Sequence, residues 1–381
     1  MTTYDAIIVG LGGMGSAAAY QLSKRGANVL GLEQFGPAHD LGSSHGDSRV
    51  IRQAYFEHPD YVPLLLSAYR LWRELEAESG EELLTETGGL MMGPPDSEVV
   101  KGSLASAKLH GLDYQLLSEV EIATQYPAFS PPPDTVGLLE PRAGFLRPEK
   151  CVCAHLKQAK FYGADLHFNT PVLHWLATSN GVEVRTERQT YHANHLVITA
   201  GPWATQVASQ FKLPLTVERQ VQYWFDVPND IELFAPDRFP VYILDMGKGT
   251  FLYGFPAIDG RGGGVKVAFY RELVSVTTTA GTVEREVKSD EIERMFSAAS
   301  TLLPGLSPRC LRAKTCLYTM TPDQHFVIDR GLVHPQVTIA AGFSGHGFKF
   351  ASVVGEILAD LATEGKTEHP ISLFSATRFA G

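Results

Sequence analysis

The sequence predicts an α/β protein with an α+β second part: a Rossmann-like dinucleotide-binding domain beside a discontinuous, mostly antiparallel-sheet substrate domain. Three observations carry this prediction. The chain opens as strand, glycine turn and helix, its middle is a series of short strands joined by glycine turns, and its C-terminal segment repeats the opening arrangement. The opening is Asp5-Ala-Ile-Ile-Val9, then Gly10-Leu-Gly12-Gly13-Met14-Gly15, then a small-residue helix from Ser16 to Leu22. Gly-x-Gly-x-x-Gly lets the backbone turn at Gly10, brings a pyrophosphate close at Gly12 with Gly13 and Met14 beside it, and packs helix on strand at Gly15. A second strand, Asn28 to Leu32, ends at Glu33-Gln34. Glu33 lies 33 − 10 = 23 positions after Gly10, near the ~20-residue offset at which a carboxylate accepts from an adenosine ribose. A glycine triplet alone is equally a tight turn without a ligand; the strand, helix and acid around it favour the dinucleotide.

Length and composition narrow the class. A chain of 381 residues with 44% hydrophobic content suggests two domains. The charge balance, 32 − 42 = −10, leaves no basic surplus for nucleic acid. Cys151, Cys153, Cys310 and Cys316 form no C-x-x-C pair, which predicts a reducing compartment and no metal site. Residues 6–22 are uncharged but carry four glycines and end at Lys24-Arg25-Gly26, a helix C-cap more than a membrane span. With no signal peptide and no C-terminal address in Arg378-Phe-Ala-Gly381, the expectation is a cytoplasmic protein.

Further along, Gly36 to Asp47 reads as a polar loop leading to Arg49-Val-Ile-Arg52, whose arginines would share one side of a helical turn. Leu64, Ala68, Leu71 and Leu75 predict an amphipathic helix from about Tyr61 to Glu78, with Pro63 in its first turn. A Gly88-Gly89 break, a helix from Glu98 to His110, a capping box at Ser118-x-x-Glu121 and a surface loop at Pro131 to Pro133 follow. The chain then returns to the first domain with a helix from Glu149 to Tyr162, a strand at Asp165 to Phe168, a hairpin around Val182 to Arg185 and an apolar strand from His195 into Gly201. Strand patterns at Val221 to Phe225, Val241 to Leu244, Thr250 to Tyr253 and Val265 to Tyr270 compose the antiparallel part, with a helix near Asp290 to Leu303. Strand Val337 to Ala341, the turn Gly342-Phe-Ser-Gly345-His-Gly347 and a helix from Phe348 to Ala362 close the chain. The expected partition is 1–85, 149–216 and 320–381 for the dinucleotide domain, with 86–148 and 217–319 for the substrate domain.

Several of these stretches together resemble the monomeric sarcosine oxidase and N-methyltryptophan oxidase family of FAD-dependent amine oxidases. They are Gly10 to Gly15 with Glu33, Ser44-His-Gly-Asp-Ser-Arg49 through Arg52, Tyr253-Gly-Phe-Pro256, Lys266, Cys316-Leu-Tyr318 with Asp323 to Asp329, and Gly342 to Phe350. The resemblance implies FAD, dioxygen as acceptor, a secondary amine bearing a carboxylate as substrate, and a monomer. It implies a thioether from Cys316 to the flavin 8α-methyl group, chemistry suited to a thiolate. Gly10, Gly12, Gly13, Met14, Gly15, Glu33, Gln34, Ser44, Arg49, Val172, Gly342, Gly345 and Gly347 would complete the cofactor site.

The resemblance also assigns the reacting side. Arg52 and Lys349 match the pair that holds the substrate carboxylate, a guanidinium fork beside an ammonium point charge. Arg49 would lie against the flavin. Lys266, between strand-forming valines, matches a lysine whose fixed charge favours electron transfer to dioxygen. Tyr253 would face substrate, and Tyr270 departs from the pattern, since the family carries histidine there; a phenol is bulkier and does not titrate near neutrality. Ser44 and Ser48 depart mildly from the commoner His and Thr. The expected reaction is oxidative demethylation of a sarcosine-like N-methyl amino acid; N-methyltryptophan, pipecolate or proline is the alternative substrate. A nicotinamide dehydrogenase would share the glycine turn and Glu33 but not the Cys316 or Gly342 to Lys349 stretches, and a nucleotide sensor would have no use for Arg52 and Lys349.

Overall fold

Ala6 to Val9 are all buried, the mark of a strand covered on both faces. In the computed structural model, which describes residues 3–270 and 276–379, the strand Thr3–Val9 lies between Val29–Leu32 and Thr190–Ile198, parallel to both. Asp165–His167 extends this sheet beyond Val29–Leu32, and Val337–Ala341 joins in parallel beside Thr190–Ile198. A hairpin, Val172–Thr178 and Gly181–Thr186, and the strand Val327–Arg330 complete eight strands. Helices Gly13–Lys24, Val62–Ser79, Pro148–Phe161 and Ala351–Thr363 bury their apolar faces in one core against it. The first and last of these cross so closely that a Cβ on Gly355 would stand 2.5 Å from the Ala17 Cβ.

The second sheet has nine strands. It draws Gly89–Gly93, Gln115–Ser118 and Val136–Glu140 from the first half of the chain and the remainder from Thr216 to Met320. Among the described residues its strand pairings are antiparallel except that of Gly89–Gly93 with Val241–Asp245. The helix Ser289–Leu302 buries Met295, Ala299 and Leu302 in this sheet's own core. The predicted capping box forms, with the Glu121 N–H on Ser118 Oγ and the Ser118 N–H on Glu121 Oε2.

Two expectations are corrected. Arg49–Ile51 is a strand, not a helical turn: it pairs antiparallel with Gly144–Leu146, which also pairs Leu84–Glu86. Val50 and Ile51 are β-branched and suit a pleated, half-covered surface. Gly89 begins a strand in the middle of the second sheet instead of breaking the chain; a Cβ there would stand 2.4 Å from that of Ala143. An eleven-residue strand, Cys310–Met320, was not expected, and it sets Cys316 opposite Gln220. Among the described residues no helix is long and apolar enough to cross a membrane; Ala380 and Gly381 of the C-terminal stretch lie outside them.

Candidate active site

The opening glycines are fixed by contact. Gly10 has φ +92°, and a Cβ there would meet the Thr199 carbonyl oxygen at 2.7 Å; one on Gly15 would meet the Gly10 carbonyl oxygen at 1.8 Å. Only glycine lets strand, turn and helix close up this way. The helix that follows has Gly12 as its N-cap with no side-chain cap, so its first turn presents backbone N–H groups, of which Gly13 donates to Ser44 Oγ at 3.1 Å. Glu33 is buried, its Oε2 accepting from the Leu11 N–H at 2.8 Å and its Oε1 from the Phe35 N–H at 3.0 Å.

These residues line one cavity of about 350 Å³. Gly10, Gly12, Gly13, Met14, Glu33, Gln34, Ser44, Arg49, Val172, Gly342, Gly345 and Gly347 all border it; Gly15 packs beneath. Trp203, Tyr318 and Phe348 also border it. The cradle fits an adenine dinucleotide: a helix N-terminus without a cap for the pyrophosphate, an anchored acid one strand away, and a second glycine turn at the far wall.

A second cavity of about 60 Å³ adjoins at Arg49, Tyr318, Gly345 and Phe348, and is completed by Arg52, Glu57, Ile243, Tyr253, Tyr270, His346 and Lys349. Arg52 is buried between two aromatic faces, its Cζ 4.1 Å from the Tyr55 ring centroid and 4.3 Å from that of Phe56. Its guanidinium donates to Glu57 Oε2 at 2.5 Å and to the Ala54 carbonyl oxygen at 2.8 Å. Lys349, also buried, donates to the His346 carbonyl oxygen at 2.7 Å and reaches Tyr55 Oη at 3.5 Å. Burial, then the charge of Arg52, pushes the Lys349 ammonium down to about 7, with Glu57 opposing. Tyr270 packs on Phe251 with centroids 6.0 Å apart and edge-on to Tyr318 at 6.3 Å, while Tyr253 and Tyr318 share a hydrogen bond.

Lys266 and Cys316 are not on either cavity wall. The Lys266 ammonium is buried and donates to the carbonyl oxygens of Gly46 at 2.7 Å and Ser48 at 2.8 Å, with Ser48 Oγ at 3.3 Å. Burial drives it well below the usual lysine range. Cys316 is buried beneath the loop Gly42-Ser43, its Sγ 3.6 Å from an Arg49 Nη2 that also donates to the Ser43 carbonyl oxygen at 2.8 Å. Arg49 thus connects cavity, loop and thiol.

Sequence reasoning passed over Glu57, Tyr55 and His346. Glu57, five positions past Arg52, is the acid that answers it. Tyr55 Oη lies 2.5 Å from His346 Nδ1, whose Nε2 lies 3.0 Å from the Gln324 carbonyl oxygen. A carbonyl only accepts, so Nε2 carries the hydrogen and Nδ1 accepts from Tyr55. His45 is buried with neither ring nitrogen hydrogen-bonded, and burial followed by Arg49 and Lys266 pushes it down to about 3, so it is neutral.

A turn for pyrophosphate, an acid for ribose and a cationic pocket beside them define a flavin- or nicotinamide-type oxidoreductase, and the comparisons decide between them. The chain belongs to the FAD dependent oxidoreductase family, which matches residues 5–361. It is 50% identical over 379 residues to the monomeric sarcosine oxidase of Streptomyces avermitilis, covering 99% of this chain and 98% of that one. It is 34% identical over 376 residues to the N-methyl-L-tryptophan oxidase of Yersinia pestis, covering 99% of each. The fold matches that of NikD, an unusual amino acid oxidase essential for nikkomycin biosynthesis, with a TM-score of 0.85 at 24% identity over 98% of each chain. The expected α/β fold and the flavoprotein resemblance both hold.

Proposed function

We propose that this protein is an oxidase of small secondary amino acids, removing the N-methyl group of a sarcosine-like substrate, with 1–85, 149–216 and 320–381 holding FAD and 86–148 and 217–319 supplying the substrate side. Its products would be the amino acid, formaldehyde and hydrogen peroxide. The observation that carries the reading is the 60 Å³ pocket with two buried cations, Arg52 and Lys349, against the cofactor cavity. The pocket is small, and Ile243, Tyr253, Tyr270 and Tyr318 line it, which favours a compact amino acid over an N-methylated tryptophan.

FAD bound in the larger cavity would supply the acceptor for two electrons and a hydrogen from the substrate's N-alkyl group, with dioxygen as the final acceptor. The chain's share is placement. Arg52 and Lys349 hold the carboxylate, which directs the N-methyl carbon toward Arg49 and Phe348, where the two cavities meet. Tyr253, Tyr270, Tyr318 and Ile243 limit the length of the side chain and exclude water. A substrate bound as free amine needs no general base, and water hydrolyses the released imine. Lys266, when protonated, would favour electron transfer to dioxygen together with Arg49, and Cys316, set behind the cavity wall beneath Gly42-Ser43 and beside Arg49, would be the thiol that attaches the flavin as a thioether. The protein acts as a cytoplasmic monomer.

The test is anaerobic titration of the purified holoprotein with sarcosine, proline, pipecolate and N-methyltryptophan in turn. Bleaching of the flavin band by sarcosine, reversed by air with release of peroxide, is the expected result; a flavin that stays oxidised with every amine refutes the substrate assignment.

A further inference from the structure

The segment from Arg52 to Glu57 has no helix or strand, yet Arg52, Gln53, Ala54, Tyr55 and Phe56 are all buried. Buried backbone polar groups must find partners, and here side chains provide them. Glu140, at the end of the strand Val136–Glu140, sends one carboxylate oxygen to the Gln53 N–H at 2.7 Å and the other to the Ala54 N–H at 2.8 Å. Arg52 itself bonds the Ala54 carbonyl, and Ser106 Oγ donates to the Tyr55 carbonyl at 2.5 Å. Ala54 is therefore held on both sides, its N–H by Glu140 and its carbonyl by the guanidinium assigned to the substrate, with Glu140 also holding the Gln53 N–H.

We propose that Glu140 is a positioning residue for the substrate carboxylate, setting the Arg52 guanidinium by fixing the Gln53-Ala54 backbone that the guanidinium leans on. The proposal rests on the reading of Arg52 and Lys349 as carboxylate ligands. Glu140 does not line the substrate pocket, so it acts through this backbone and not by contact. Both of its oxygens accept from amide N–H groups, an arrangement that favours the carboxylate, the stronger acceptor at each oxygen. Burial raises its pKa above the ordinary carboxylate value, and the Ala54 and Gln53 amides, then Arg52 and Arg142, work against that rise.

Electrostatics and positioning predict opposite signs, and this makes the proposal testable. Glu140→Gln removes a negative charge near Arg52, which by charge alone would tighten anion binding. It also replaces one accepting oxygen with an NH2 that faces an amide N–H, which releases the loop. Glu140→Asp keeps the charge but draws both oxygens back from the amides. The probe is methoxyacetate, which has the size and carboxylate of sarcosine but no amine to titrate or oxidise, added to the holoenzyme at fixed pH and followed by calorimetry and by the flavin spectrum.

The expected result is a Kd for methoxyacetate raised about tenfold in both variants, the cost of disturbing one charged hydrogen bond, with KM for the oxidised amine raised in parallel and kcat within about twofold. Binding unchanged or tighter in Glu140→Gln, or wild-type binding in Glu140→Asp, overturns the proposal. Arg52→Gln separates the two levels of argument. If it too binds methoxyacetate as the wild type does, the carboxylate site itself is wrong; if it loses binding while both Glu140 variants keep it, only the positioning role falls.

Discussion

Lys349 offers the sharpest prediction because its environment works against its charge. Its ammonium is buried next to the Arg52 guanidinium, which brings it down to about 7, and only Glu57 opposes. Of the groups facing it, the Tyr55 phenol is driven upward by burial and stays neutral, and the His346 ring lies between the Tyr55 hydroxyl and the Gln324 carbonyl oxygen. Below pH 7 the pocket therefore carries two cations and above it one. An incoming carboxylate favours the ammonium, so binding raises the Lys349 pKa and takes up a proton when the pH lies above 7. The apparent Kd for methoxyacetate should be flat below pH 6, then rise about tenfold by pH 8 and about a hundredfold by pH 9, at ~1.4 kcal/mol per pH unit. Calorimetry in two buffers of different ionisation enthalpy should show uptake approaching one proton near pH 8.5. Lys349→Met should bind more weakly and lose the slope. A Kd constant from pH 6 to 9 in the wild type, or an unchanged slope in the Met variant, refutes the argument. Sarcosine itself would blur the result, since its own amine must lose a proton and so pulls the other way.

Two further outcomes follow from the sites behind the cavity walls. Cys316→Ala should leave a yellow, folded protein whose flavin goes into the supernatant on acid precipitation, whereas wild-type flavin stays with the pellet; flavin released from both would show that no thioether forms. Lys266→Met should slow reoxidation of the reduced holoenzyme by air about 10²- to 10³-fold, the usual weight of one fixed electrostatic group, while anaerobic reduction by sarcosine changes little. Equal slowing of both half-reactions would assign Lys266 to the scaffold.

How much was legible depends on where the determining contacts lie. The opening turn was readable because its constraint is local: Gly10, Gly12 and Gly15 solve one tight backbone problem within six residues. The helices Val62–Ser79 and Glu98–His110 were readable from period and caps. Arg49 to Arg52 was misread because spacing of charges says nothing of a partner strand about a hundred residues on, at Gly144–Leu146. The strand Cys310–Met320 mixes Arg, Lys and Thr with its apolar residues, so its pattern is faint until Thr216–Phe225 lies beside it. In the site, the predicted cofactor residues other than Gly15 and Cys316 line one cavity, and Arg52, Lys349, Tyr253 and Tyr270 the next, while Lys266 and Cys316 stand behind the walls. Glu57 and Tyr55 meet Arg52 within five residues but in no regular element whose period would announce them, while His346 and Glu140 reach this segment only when distant parts of the chain fold together.

The three oxygens around Lys266 carry one more implication. An ammonium has three hydrogens, and here Gly46, Ser48 and the Ser48 hydroxyl take them up. Nothing is left to hand to an arriving molecule. Any effect on dioxygen would come from a pole held in place behind a wall, and because burial pulls the ammonium well below the usual lysine range, that pole would weaken as the pH rises. Such a pole does not wander or exchange partners during turnover. It is also sheltered from bulk ions, so its influence would persist in concentrated salt, where a surface charge is silenced.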